Sequence, residues 1–319
     1  VIQKILKRPE LVEKPPVLID IGASGKIHRA WRKFAKNSIC LAFDADERDF
    51  NYVIDESGKF RKLYVYNCIV ADQAAHRTNF YLTKSPHCSS LLEPDLEGLQ
   101  NTAWAERFEV EKIKEIKTVG LLQVLNELEL NYVDWFKSDS QGIDLRLFKS
   151  LPQQISDKVL VAEFEPGIIN AYKNEDKLHK ILAFMEENGN FWLSKFIVKG
   201  SRKISGQALS ALFKSPFWQK LAMFSLKNMA GWGELTYINE LKPKNNFSLR
   251  DYLLAWVFAT VEKEHGFALL LAQQADNQFN DPIFKEMIAA SKSKLRWGVW
   301  QLKFLPAFWS SLKQRFGWE

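Results

Sequence analysis

Hydrophobic positions along the chain follow two alternating patterns. Short apolar runs at Val17–Ile21, Ile39–Phe43, Leu63–Val70, Asn79–Thr83, Tyr132–Phe136, Lys158–Phe164 and Phe191–Val198 have the length and bounds of buried strands. Glu109–Lys117 alternates apolar and charged residues and predicts a strand with one wet face. Between these runs the period changes to that of a helix. Ile27, Ala30, Trp31, Phe34 and Ala35 share one face of a predicted amphipathic helix, and Leu121–Leu130, Ile143–Leu151 and Leu178–Asn188 predict three more. Repeated strand–helix alternation predicts a mostly parallel sheet covered by helices on both faces. Residues 1–16 end in a proline pair and predict a short helix with a lead-in to the first strand. Residues 201–319 change character: they hold seven of the eleven tryptophans and predict helices at Gln207–Phe224 and Tyr252–Gln274, a C-terminal helical cap. The expected domains are therefore 1–16, 17–200 and 201–319.

Bulk properties narrow the class. A chain of 319 residues that is 46% hydrophobic and 26% charged is globular. A net charge of +6 is compatible with acidic partners, but no nucleic-acid-binding motif accompanies it. Three cysteines, Cys40, Cys68 and Cys88, form no CxxC pair and no complete disulfide set, which favours a reducing compartment. No apolar run has the length of a membrane span, and no signal-like apolar core opens the chain, so a cytoplasmic location is expected.

The chemistry gathers where strands end. Val17–Ile21 carries Asp20 near its end and runs into Gly22, Ala23, Ser24 and Gly25, a turn of small residues that lets a ligand approach the backbone. In open α/β sheets such turns lie outside the carboxyl ends of strands, at the point where strand order reverses. Asp44, 22 positions after Gly22, closes the second strand, where an acid can accept both hydroxyls of a ribose. Asp72 follows the third strand and could meet an adenine amino group; a solvated loop aspartate is the plain alternative. Ser89 and Ser90, in the loop 85–94, could bind a ligand or cap a helix. His28 could touch a ligand or simply be solvated. Tyr132–Gly142 repeats strand, polar turn and glycine, with Asp139 and Gln141 at the turn, and the strand 158–165 closes on Glu163 and Glu165.

Together these landmarks resemble the FkbM family of S-adenosylmethionine-dependent methyltransferases over about residues 17–200. Asp20–Gly25 resembles the family's cofactor-binding glycine motif. Phe43-Asp-Ala-Asp46 stands where the family has Phe-Glu-Pro, without the proline. Cys88–Leu92 resembles a serine-containing segment, and Phe136–Asp144 resembles the Lys-Ile-Asp-Val-Glu/Gln-Gly-x-Glu signature, with Ser138, Ser140 and Asp144 as departures. Glu163-Phe164 is similar to an acid–Phe pair in the next strand. The resemblance implies a doubly wound class I methyltransferase sheet of seven mostly parallel strands with one antiparallel edge strand. It implies S-adenosylmethionine as cofactor, held by Asp20 toward its methionine end, by Gly22, Ala23, Ser24 and Gly25, by Asp44 at the ribose, and by Asp72, Ser89 and Ser90. The implied reaction is methylation of a hydroxyl oxygen on a sugar, a glycan or another hydroxylated metabolite.

A hydroxyl is a poor nucleophile at neutral pH and needs a general base or a metal. Asp139, Glu163 and His87 are the candidate bases. Asp139 with Glu163 could also present oxygen ligands to a divalent metal, although two carboxylates are too few to specify one. Lys137 is expected to pair with Asp139 or Glu163. A nicotinamide-dependent oxidoreductase would share the glycine turn and ribose acid, but the full GxGxxG is absent. A non-catalytic scaffold of the same fold, docked at a membrane, is the third reading. The stretch 292–318 interleaves basic residues with Trp297, Trp300, Phe304, Phe308 and Trp309. Such a stretch can lie in a membrane interface, line a sugar cleft or pack as a helical cap.

Overall fold

The computed structural model describes residues 1–23, 28, 30–46, 48, 57–71, 77–301, 304–306, 308 and 309. The chain divides into two compact units, Pro15–Asn245 and Val1–Lys14 with Asn246–Glu319.

The larger unit is built on a seven-stranded sheet. Its strands are β1 (Val17–Ile21), β2 (Ile39–Phe43), β3 (Lys62–Tyr66), β8 (Trp135–Ser138), β9 (Val161–Phe164), β10 (Phe191–Lys199) and β11 (Trp232–Asn239), in the order β10-β11-β9-β8-β1-β2-β3. Every residue of β1 is buried. Both sides of this central strand are covered, which is why its sequence is a nearly unbroken apolar run rather than an alternating one. The pairs β1–β2, β2–β3, β1–β8 and β8–β9 are parallel, whereas β11 is antiparallel to both β9 and β10. Two small sheets complete the unit: β4 (Ile69–Ala71) with β7 (Thr118–Gly120), and β5 (Thr78–Thr83) with β6 (Val110–Ile116). The core joins Ile19, Leu41 and Phe136 of the sheet to Leu121 and Val124 of the helix Leu121–Glu127 and Leu147 and Phe148 of the helix Asp144–Lys149.

The mixed α/β, mostly parallel sheet agrees with the sequence pattern, and several particulars differ. The antiparallel strand is not at the edge: β11 inserts between β9 and β10. Because β11 belongs to the sheet, the larger unit continues to Asn245 rather than ending at residue 200, and residues 1–14 group with the C-terminal helices. The run Leu63–Val70 is split into β3 and β4, which join different sheets. Residues 30–37 form two 3-10 turns, Trp31–Lys33 and Ala35–Asn37, interrupted at Phe34 with φ −132°, in place of a regular helix. Trp31, Phe34 and Ala35 are nonetheless buried. Burial of those three side chains fixes the segment, and so short a helix gains little from its own hydrogen bonds.

The smaller unit is helical. Its helices are Ile2–Ile5, Pro9–Glu13, Leu249–Val261, His265–Phe279 and Pro282–Trp300. Ser248 caps Leu249–Val261 in a reciprocal capping box with Asp251. The helix predicted over 252–274 is broken at Glu262–Glu264, where Lys263 takes φ 70°. The indole of the buried Trp256 donates to Ser291 Oγ at 2.9 Å, and Arg8 joins Glu10 and Asp281 through paired hydrogen bonds. No helix among the described residues is long and apolar enough to cross a membrane.

Candidate functional site

Strand order reverses between β1 and β8, so their carboxyl ends open the crevice where ligands bind in such sheets. Gly22 leaves β1 with φ +74°, and an added Cβ there would stand 2.3 Å from the carbonyl oxygen of Asp139. The Asp139 amide donates to Ile21 O at 3.0 Å, so the two strand ends are tied together. On the other side, Gly22 N and Ala23 N both donate to Phe43 O. This brings the turn beside Asp44, whose Oδ1 accepts from Asp46 N at 2.8 Å. Gly22, Ala23 and Asp44 lie at adjoining strand ends, whereas Ser24, Gly25 and Asp72 lie outside the described residues.

Asp20 has a different setting. It sits in register with Lys137 of β8, which is in register with Glu163 of β9. The Lys137 ammonium donates to Asp20 Oδ1 at 2.6 Å. Burial alone would lower the lysine pKa, but Asp20, Asp139 and Glu163 outweigh it and hold the ammonium charged. The cross-strand partner of Lys137 is thus Asp20, rather than the expected Asp139 or Glu163. Glu163 Oε2 lies 3.7 Å from His28 Nε2. Burial pushes the His28 pKa down to about 4, so the ring is neutral near pH 7.

Beyond the ends of β8 and β9 a cavity of about 320 Å³ is bounded by the aromatic rings of Trp104, Phe108, Tyr172 and Trp232. The centroids of Trp104 and Trp232 are 4.7 Å apart, and those of Phe108 and Tyr172 are 5.5 Å apart. Asp139, Gln141, Glu165, Glu175, His87 and Arg107 are among its polar lining residues. Asp139 and His87 thus share the cavity, and Glu163 does not border it. Of the acid pair that closes the strand 158–165, Glu165, one residue past the end of β9, is the one that borders it; Glu175, paired with Lys177, is a third carboxyl in the lining. The sequence reached Glu165 only as part of the closing acid pair; the position of the strand end separates it from Glu163.

The turn carrying Asp139 is braced from below. The buried Asp144 carboxylate accepts from Ser138 Oγ (2.6 Å), Ser140 N (2.9 Å), Ser140 Oγ (2.5 Å) and Glu165 N (3.0 Å), which joins the ends of β8 and β9. Gln141 takes φ +57°, its amide nitrogen donates to Asp139 Oδ1, and its backbone oxygen accepts from Ser90 Oγ at 2.7 Å. The Tyr172 hydroxyl lies 2.9 Å from both Gln141 Oε1 and Cys88 O. Ser89 Oγ accepts from Thr83 N and from Arg48, itself paired to Asp46. Ser89 and Ser90 are both buried, and in this structure they brace the loop.

Burial raises the Asp139 pKa to about 6, with Lys137 opposing, and raises that of Glu165 to about 9, with Asp139 adding to it. Environments that separate two carboxyls in this way assign them different proton roles. At neutral pH Asp139 is chiefly ionised and Glu165 neutral. Among the described residues no group of three or more His, Cys, Asp or Glu side chains could hold a metal ion. No protein-family model, curated protein or solved structure matches this chain.

Proposed function

We propose that this protein is an S-adenosylmethionine-dependent methyltransferase acting on a hydroxyl group of a sugar, a glycan or another hydroxylated metabolite. The observation that carries the reading is a half-buried carboxylate, Asp139, at the strand-order reversal, in contact with the glycine turn on one side and bordering an aromatic cavity on the other. The residues present suit the cofactor in part. Gly22 and Ala23 offer a turn with little side-chain bulk, and Asp44 offers a strand-end acid for the ribose. Asp20 is already engaged by Lys137, so its role there would be to fix the sheet beneath the site. Bound at this turn, S-adenosylmethionine supplies a methyl group activated by a sulfonium.

The chain's own residues then have two tasks. Trp104, Trp232, Phe108 and Tyr172 provide flat apolar faces that suit a sugar ring, and a volume of about 320 Å³ suits a small acceptor. Asp139 takes the acceptor's hydroxyl proton, oriented by the Gln141 amide, while neutral Glu165 donates a hydrogen bond that fixes the acceptor. Holding the oxygen in line for displacement supplies much of the rate. Calorimetric titration with S-adenosylhomocysteine tests the reading. Wild type is expected to bind, and Asp44→Ala to bind at least about tenfold more weakly, through loss of a charge-assisted hydrogen bond to the ribose. Absence of binding by the wild type overturns it.

A further inference from the structure

Between β10 and β11 the chain leaves the sheet for residues 200–231 and returns. The excursion is closed at its base, where Met229 N donates to Ser201 O and Gly231 N to Lys199 O. Its outer part is the helix Pro216–Ser225, which starts with a proline in its first turn and has no buried residue. The helix turns its largest apolar side chains outward. Phe217, Leu221 and Phe224, spaced i, i+4 and i+7, form one stripe. Their exposures are 63%, 43% and 71%, and Trp218 beside them is 56% exposed. Gln219, Ala222 and Met223, on the opposite side, are the half-buried positions. A helix of a globular protein ordinarily turns its apolar stripe inward; here it faces out.

The charge pattern identifies what covers it. The excursion carries Arg202, Lys203, Lys214, Lys220 and Lys227 and no Asp or Glu. Lys214, Lys220 and Lys227 are exposed, and Lys220 borders the apolar stripe. A second copy of the chain on this face would bring like charges together. Aromatic and leucine side chains on one helical face with Lys220 at its margin and exposed Lys214 and Lys227 flanking the helix in sequence, in a helix too short to span a bilayer, match an anionic lipid surface. We propose that residues 200–231 dock this protein onto an anionic membrane, with the stripe Phe217–Leu221–Phe224 entering the headgroup boundary. The base of the excursion borders the cavity: Gly231 and Trp232 line it, and Ala103 N, next to Trp104, donates to Arg202 O. Docking therefore holds the cavity rim near the lipid surface, whatever reaction the cavity supports.

The experiment is co-sedimentation of the full chain with phosphatidylcholine vesicles prepared with and without phosphatidylglycerol. Wild type is expected to bind the anionic vesicles. The triple variant Phe217→Ser, Leu221→Ser, Phe224→Ser, all at exposed positions, is expected to keep its thermal unfolding profile and lose about a hundredfold in partitioning. The variant Lys214→Gln, Lys220→Gln, Lys227→Gln is expected to lose about a hundredfold on anionic vesicles and nothing on neutral ones. Wild type that fails to bind anionic vesicles overturns the proposal. So does a stripe variant that binds like wild type, which would move docking to another segment such as the C-terminal tail. Self-association of wild type without vesicle binding, abolished in the stripe variant, also overturns it and assigns the face to a second copy. None of these readouts depends on methyl transfer.

Discussion

Gly22 and Asp139 meet backbone to backbone: a methyl group in place of the glycine Cα hydrogen would stand 2.3 Å from the Asp139 carbonyl oxygen. The contact closes the strand-order reversal and sets how far the acid lies from the glycine turn. Gly22→Ala would meet both this clash and a left-handed φ of +74°. The variant is expected to lose on the order of 2 kcal/mol or more of stability, read from its urea midpoint. Whatever folds is expected to bind S-adenosylhomocysteine poorly, because Asp139 and the turn must move apart.

Two of the cavity carboxyls, Asp139 and Glu165, make both activity and stability depend on pH. If Asp139 accepts the substrate proton and neutral Glu165 fixes the acceptor, kcat/KM against a hydroxylated acceptor falls above about 9 and has an acid limb that rises through about 6. Asp139→Asn removes that limb together with most of the rate.

Stability is expected to run the other way. Asp139 and Glu165 have ordinary values of 3.8 and 4.5, and burial raises them to about 6 and about 9. Their contribution is whole below the unfolded values and is lost as the pH rises, through about 6 for Asp139 and about 9 for Glu165. Glu165→Gln keeps a neutral side chain throughout. The variant is expected to equal wild type near pH ~4 and exceed it by on the order of 2 kcal/mol near pH ~8, measured by denaturant unfolding at each pH.

Asp144 is a positioning residue for Asp139. Its carboxylate holds Ser138, Ser140 and the Glu165 amide. Asp144→Ala leaves those donors buried without a partner and is expected to destabilise by about 3 kcal/mol. In Asp144→Asn, which retains one acceptor oxygen, the loss should be smaller and the pH limb of Asp139 should persist. A purely structural role would leave the limb's midpoint unmoved in every variant that folds.

Lys137 and Asp20 form a pair within the sheet, each about a fifth exposed or less. Removing one partner leaves a buried charge, so Lys137→Met or Asp20→Leu is expected to cost about 3–5 kcal/mol, whereas the double variant Asp20→Leu with Lys137→Met recovers most of the loss. A double-mutant cycle in urea measures the coupling, and additivity of the two single effects would show that the pair is not a unit.

The central strands were legible because burial on both faces writes a continuous apolar run, as in Val17–Ile21 and Ile39–Phe43. β11 was not legible. Its start, Trp232-Gly-Glu, interrupts any apolar run and follows a helical, aromatic stretch, and its strand state comes from pairing with β9 and β10. Residues 30–37 kept their predicted buried face but not their helix, because tertiary burial fixed the side chains without a regular backbone. In the site, Asp139 was readable from its place after an apolar run. Choosing between Glu163 and Glu165 requires the end of β9 to within a residue, and periodicity does not locate a strand end that closely. The partner of Lys137 was hidden for a related reason: it is set by the register of β1 against β8, strands separated by more than a hundred residues of sequence.

The position of β11 also fixes an order of assembly. Both neighbours of this strand, β9 and β10, precede it in the chain, yet neither pairs with the other. During synthesis β9 therefore presents an open, apolar edge, and β10 has no seat in the sheet, until residue 239 has emerged. Over that interval an unpaired edge is a template for other chains, and the run of lysines and arginine in residues 200–231 travels with it. Like charge on nascent chains keeps neighbouring copies apart, and the excursion supplies five cationic side chains and no acid to the chain while that edge is open.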